Sequence, residues 1–132
     1  MKLFKRLIKI KGVHNQLISP KCKTNHLYER SPISITGDDT LVRIDEHNQI
    51  YKLSLIIRGH RNKVFIDQDL KGILQLVIDG SDITVHIGKD CLFRGCEMAV
   101  FDDNNTLEFG DGSMAARDSR IYASDFHTIY EI

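Results

Sequence analysis

The sequence predicts an all-β fold, a single-stranded β-helix (solenoid) of about five to six coils of roughly 22 residues each. Three observations carry that expectation. Short apolar triplets of period two recur in pairs nine residues apart: Ile33-Ser34-Ile35 with Val42-Arg43-Ile44, Leu55-Ile56-Ile57 with Val64-Phe65-Ile66, Leu76-Val77-Ile78 with Val85-His86-Ile87, and Met98-Ala99-Val100 with Leu107-Glu108-Phe109. Successive pairs advance by 22, 21 and 22 residues, and Ile121-Tyr122-Ala123 opens a further one after a step of 23. A turn residue stands two positions beyond each first triplet. One such coil cannot bury its own apolar face, whereas stacked coils bury one another and pair their strands along the axis. An antiparallel sandwich has no reason to hold both spacings throughout.

Residues 1–32 form a basic N-terminal cap or first coil. An early copy of the pattern places Ile8-Lys9-Ile10 nine residues before Leu17-Ile18-Ser19, and residues 1–30 carry eight Lys or Arg against one acid. The segment 2–11 mixes Leu3, Phe4, Leu7 and Ile8 with Lys2, Lys5, Arg6 and Lys9. A solenoid end needs covering, and a short basic amphipathic stretch also gives weak contact with an anionic membrane surface.

Residues 33–132 form the regular coils. In each triplet the first and third residues share the inward face and the middle residue, such as Arg43 or Glu108, points to water. Gly12, Gly37, Gly59 and Gly80, then Asp102 and Asp125, fill the corner after each first triplet; Gly takes positive φ without steric cost, and Asp bonds its own backbone there. A third inward position is expected at Ile50, Ile73, Phe93 and Ala115, giving three faces per coil.

With 132 residues, 42% hydrophobic and 27% charged, the chain suits one soluble domain spanning 1–132. Residues 31–132 carry ten Lys or Arg against seventeen acids, so the body repels a phosphate backbone and nucleic-acid binding is not expected. Cys22, Cys91 and Cys96 are an odd number without a CxxC pair, which argues against a disulfide framework and for a reducing, cytoplasmic setting.

The hexapeptide rule, an aliphatic residue every six positions and often followed by Gly, is met by Ile87-Gly88, Phe93, Ala99 and by Phe109-Gly110, Ala115, Ile121, and the next step reaches His127. With Ser124-Asp125-Phe126-His127-Thr128-Ile129-Tyr130, these stretches resemble the hexapeptide-repeat acyltransferases that O-acetylate capsular and other surface polysaccharides. The likeness covers about residues 76–132. It implies a left-handed helix, acetyl-CoA as donor, a sugar or saccharide acceptor, a homotrimer with sites between subunits, and His127 as the catalytic base. Coils of roughly 22 residues, where the strict family pattern has about 18, imply about four extra residues bulging at a corner of each turn.

The chemistry suits the residue. Acetyl transfer to a hydroxyl needs a base, and imidazole, with an ordinary pKa of about 6.5, is largely neutral at cellular pH. A thiolate leaves readily, so no metal is required. Asp125, two positions earlier in an extended segment, projects the same way as His127 and either orients the imidazole, holds the sugar, or fills a corner. His86 reads as an outward strand residue, His14, His47 and His60 as turn residues, and His26 falls in the irregular basic segment; none is spaced as a metal pair. The alternative reading is a non-catalytic β-helix scaffold, or a truncated acyltransferase fragment without activity, because the family continues with further coils beyond the His motif.

Overall fold

The computed structural model describes residues 8–18, 33–45, 48, 52–115, 119–124 and 127–131. Its strands are β1 (Ile8–Lys11), β2 (Gln16–Ile18), β3 (Ile33–Thr36), β4 (Leu41–Ile44), β5 (Lys52–Arg58), β6 (Lys63–Ile66) and β7 (Lys71–Asp79). They continue as β8 (Thr84–Ile87), β9 (Leu92–Phe101), β10 (Thr106–Phe109), β11 (Met114–Ala115), β12 (Arg120–Ser124) and β13 (His127–Glu131). The fold is an all-β solenoid of two stacked sheets. One has eight strands, in the order β1-β3-β5-β7-β9-β12-β13 with β11 also on β9, and the other has five, in the order β10-β8-β6-β4-β2. Among the described residues every pairing is parallel except that of β12 with β13.

The spacing of the triplets is the pairing register. Ile33 lies beside Leu55, Leu55 beside Leu76, Leu76 beside Met98 and Met98 beside Ile121, so β3 to β12 spans four turns of 22, 21, 22 and 23 residues. Val42, Val64, Val85 and Leu107 form the matching row of the second sheet. Side chains in both rows are at most 3% exposed. Each such burial contributes about 1.5–3 kcal/mol, and the branched residues suit a pleated, packed face.

The third side departs from its sequence reading. Phe93 lies beside Gly72 and Ala115, whereas Ile73 lies beside Arg94; the position assigned to Ile73 belongs to Gly72. The fully buried Phe93 ring meets Phe109 edge-on, with centroids 5.4 Å apart at 82°. Ile50 lies outside the described residues. Beyond Arg94 the register shifts, Ile73 pairing with Arg94 but Leu74 with Cys96, and the extra residue is Gly95 at φ +75°. The bulge resets the alternation, so Met98 and Val100 point inward and Ala99, on the six-residue count, falls in the outward row between Val77 and Tyr122.

Corners between the two sheets stack as strictly as the strands. Gly12, Gly37, Gly59 and Gly80 have φ of +126°, +133°, +128° and +150°. A Cβ on Gly37 would overlap the Gly59 carbonyl, and one on Gly59 the Gly80 carbonyl. Two residues on, His14, Asp39, Arg61, Asp82 and Asn104 all take φ between 57° and 62°. The residue between them caps the preceding coil: Val13 N–H donates to Asp38 Oδ1 (2.8 Å), Asp38 N–H to His60 Nδ1 (3.0 Å), His60 N–H to Ser81 Oγ (3.0 Å) and Ser81 N–H to Asp103 Oδ1 (2.8 Å). Just inside, the fully buried Asn62 accepts from Ile83 N–H (3.0 Å) and donates to the Gly80 carbonyl (2.9 Å). Asn15 does the same for Thr40 N–H and the Gly37 carbonyl, and Asn48 for Leu70 N–H and the Asp67 carbonyl. Buried backbone groups that the strands do not pair are satisfied by these amides.

Candidate functional site

The sequence-predicted base sits at the end of the eight-stranded sheet. His127 opens β13, its Cα opposite Ser124 of β12, and β13 runs back along β12 with Tyr130 opposite Tyr122. The parallel ladder therefore gives way to an antiparallel edge strand at this motif instead of running on through it. Asp125 lies outside the described residues.

The structure does assemble another histidine site. The outward row of the five-stranded sheet places Arg43 of β4, Phe65 of β6, His86 of β8 and Glu108 of β10 side by side. Asp45 and Asp67 follow β4 and β6, each held by its N–H to the next coil, Asp45 to the Ile66 carbonyl and Asp67 to the Ile87 carbonyl, both at 2.9 Å. His86 Nε2 lies 3.0 Å from Asp67 Oδ2 and its Nδ1 3.3 Å from Glu108 Oε1. Ionised carboxylates only accept, so both contacts are made at once by the imidazolium, with each ring N–H donating. The bonds to Asp67 and then Glu108 raise the His86 pKa above its ordinary value, against a smaller opposing effect of burial. A ring clamped at both nitrogens has no free lone pair, so it serves as a fixed cation and hydrogen-bond donor and not as a base.

Arg43, Asp45, Phe65, Ile66, Asp67 and His86 line a shallow cleft of about 410 Å³. The sequence treated His86 only as an outward residue. Aligning the repeats row by row would have exposed the site, because Asp67, His86 and Glu108 fall on neighbouring rungs.

A second, smaller cleft of about 240 Å³ lies on the outer face of the eight-stranded sheet, where Val77, Ala99, Phe101 and Tyr122 form its apolar part. The Phe101 and Tyr122 rings are 6.4 Å apart. Ion pairs flank it, Arg58 with Asp79 at 3.5 Å and Arg120 with Glu97 at 3.8 Å.

Of the remaining candidates, His60 uses Nδ1 as the acceptor for Asp38 N–H, and His14 lies 3.6 Å from Asp39. Cys91 and Cys96 are buried free thiols, and burial pushes the Cys91 thiol pKa up, which makes it a packing residue and not a nucleophile. Among the described residues no group of three His, Cys, Asp or Glu side chains is arranged to hold a metal ion. Compared with protein-family models, curated proteins and solved structures, the chain matches none.

Proposed function

We propose that this chain is an acetyl-CoA-dependent O-acetyltransferase acting on a hydroxyl of a sugar or polysaccharide precursor, with His127 as general base. The reading is supported by the in-register parallel solenoid, the architecture that the resemblance implies, and by the Ser-Asp-Phe-His stretch of the sequence, with His127 heading the strand on the sheet's edge. The reading takes the coil as left-handed and the working enzyme as a cytoplasmic homotrimer, with Asp125 orienting the imidazole.

The reaction makes an ester C–O bond and breaks a thioester C–S bond. As the acceptor oxygen attacks the carbonyl carbon, its proton passes to the imidazole and then to the departing thiolate, leaving coenzyme A as the free thiol. A backbone N–H at a coil corner meets the oxyanion. Thiol release from acetyl-CoA in the presence of saccharide acceptors tests the assignment. His127→Ala is expected to lose about 100-fold or more of the rate, and equal rates in parent and variant remove His127 from the mechanism.

One observation favours a different reading, a non-catalytic scaffold: β13 pairs antiparallel with β12 and so terminates the parallel ladder at the motif. A donor that binds only the folded state raises the unfolding temperature, so an acetyl-CoA-dependent thermal shift favours the enzyme and its absence at millimolar donor favours the scaffold.

A further inference from the structure

We propose that the cleft over Phe65, on the outer face of the five-stranded sheet, binds a neutral saccharide. The site goes beyond the acyl-transfer reading, since it lies on the sheet that carries neither β12 nor β13. Its floor is the half-buried ring of Phe65, with Arg43 and His86 as its register neighbours on either side. Parallel rungs stand about 4.8 Å apart, so the ring and its flanking cations form a short polar-edged platform. The negative face of an aromatic ring attracts the electropositive C–H face of a pyranose.

Around that platform the groups suit hydroxyls. Asp67, whose Oδ2 holds His86, has its second carboxylate oxygen as an acceptor, and Arg43 has a fork of donors; both line the cleft. His86 is fixed by Asp67 and Glu108, so it costs little ordering when a ligand arrives. Charge on this face balances: Arg43, Lys63 and His86 stand against Asp45, Asp67 and Glu108, so no net positive field draws in a phosphate or a nucleotide and a neutral polyol is the fitting ligand. The volume of about 410 Å³ falls at the small end of ligand sites and suits a short stretch of sugar. An open cleft on a stacked sheet also lets a longer glycan continue past either rim.

The test uses no acetyl donor. Amide shifts of the ¹⁵N-labelled chain are followed during titration with methyl β-D-glucopyranoside, N-acetylglucosamine and cellobiose, with inorganic phosphate as the anionic comparison. Saccharide-dependent shifts centred on Arg43, Phe65 and His86 are expected, with Phe65→Ala weakening binding about tenfold or more and Phe65→Tyr changing it less than about threefold. The inference is overturned if none of the saccharides shifts these amides at about 50 mM, if the shifts map to the eight-stranded sheet, if Phe65→Ala binds as the parent does, or if phosphate binds more tightly than every saccharide. His127→Ala is expected to bind saccharide as the parent does, so loss of acyl transfer with binding retained separates failure of the catalytic reading from failure of this one.

Discussion

Replacing Gly59 by Ala probes the stacked corners directly. Gly59 has φ +128°, a region that costs a residue bearing a side chain about 1–3 kcal/mol. The new Cβ also overlaps the Gly80 carbonyl, and no rotamer relieves a clash with backbone. Displacing Gly80 strains the bonds from its N–H to the Arg58 carbonyl (3.0 Å) and from Asn62 Nδ2 to its own carbonyl (2.9 Å). Each contributes about 0.5–1.5 kcal/mol, so Gly59→Ala is expected to cost about 3–5 kcal/mol in all. That is a large share of the ~5–15 kcal/mol typical of a domain. Equilibrium urea unfolding followed by circular dichroism is the assay, and the midpoint should fall by about 2 M. Gly110→Ala is the control, because nothing lies within 4 Å of its added Cβ, and it should stay within about 0.5 kcal/mol of the parent. Equal midpoints for the two variants would refute the carbonyl-stacking argument.

Asn62→Ala leaves the buried Ile83 N–H and Gly80 carbonyl without their side-chain partner, and urea unfolding should show a loss of about 2–4 kcal/mol. Thr40→Val moves the other way: the Thr40 hydroxyl is buried without a hydrogen-bond partner among the described residues, so an apolar replacement of the same shape should hold or raise the midpoint, by up to about 1–2 kcal/mol. For His86 the folded-state pKa is raised, so its stabilisation is complete below the unfolded value of about 6.5 and fades as pH rises through the higher folded value. The stability gap between the parent and His86→Gln should therefore be larger at pH 6 than at pH 9, and because the side chain is 36% exposed the change should be only about 0.5 kcal/mol; a gap that grows with pH contradicts the clamp.

The solenoid was legible because parallel, in-register stacking gives each position of a coil the same surroundings on every turn. Ile33, Leu55, Leu76, Met98 and Ile121 occupy one environment, so one residue class repeats at one interval. What interrupts that periodicity was less legible. The Gly95 bulge inserts one residue into β9, so the triplet pattern, which puts Ala99 outward, holds, whereas the six-residue count, which runs across the extra residue, puts it inward; the isolated Gly within the strand was the available signal. The β12–β13 reversal was hidden because parallel and antiparallel strands share the same alternation of side chains. The His86 site depends on three rungs meeting outside the core, where composition is free to vary from coil to coil; its residues were visible, but not their contact. The asparagine bridges were missed for a similar reason, since Asn15 and Asn62 stand on alternate coils, with Thr40 on the coil between them and Ile83 on the one after.

The most direct measurement of the central claim is the pattern of backbone nuclear Overhauser contacts along the outward row Ile56, Val77, Ala99 and Tyr122. The account predicts interstrand contacts of parallel type linking these residues in sequence order, with antiparallel contacts confined to β12 and β13 within the described residues. Cross-strand Hα–Hα contacts of hairpin type joining β3 to β4, or β5 to β6, would contradict it.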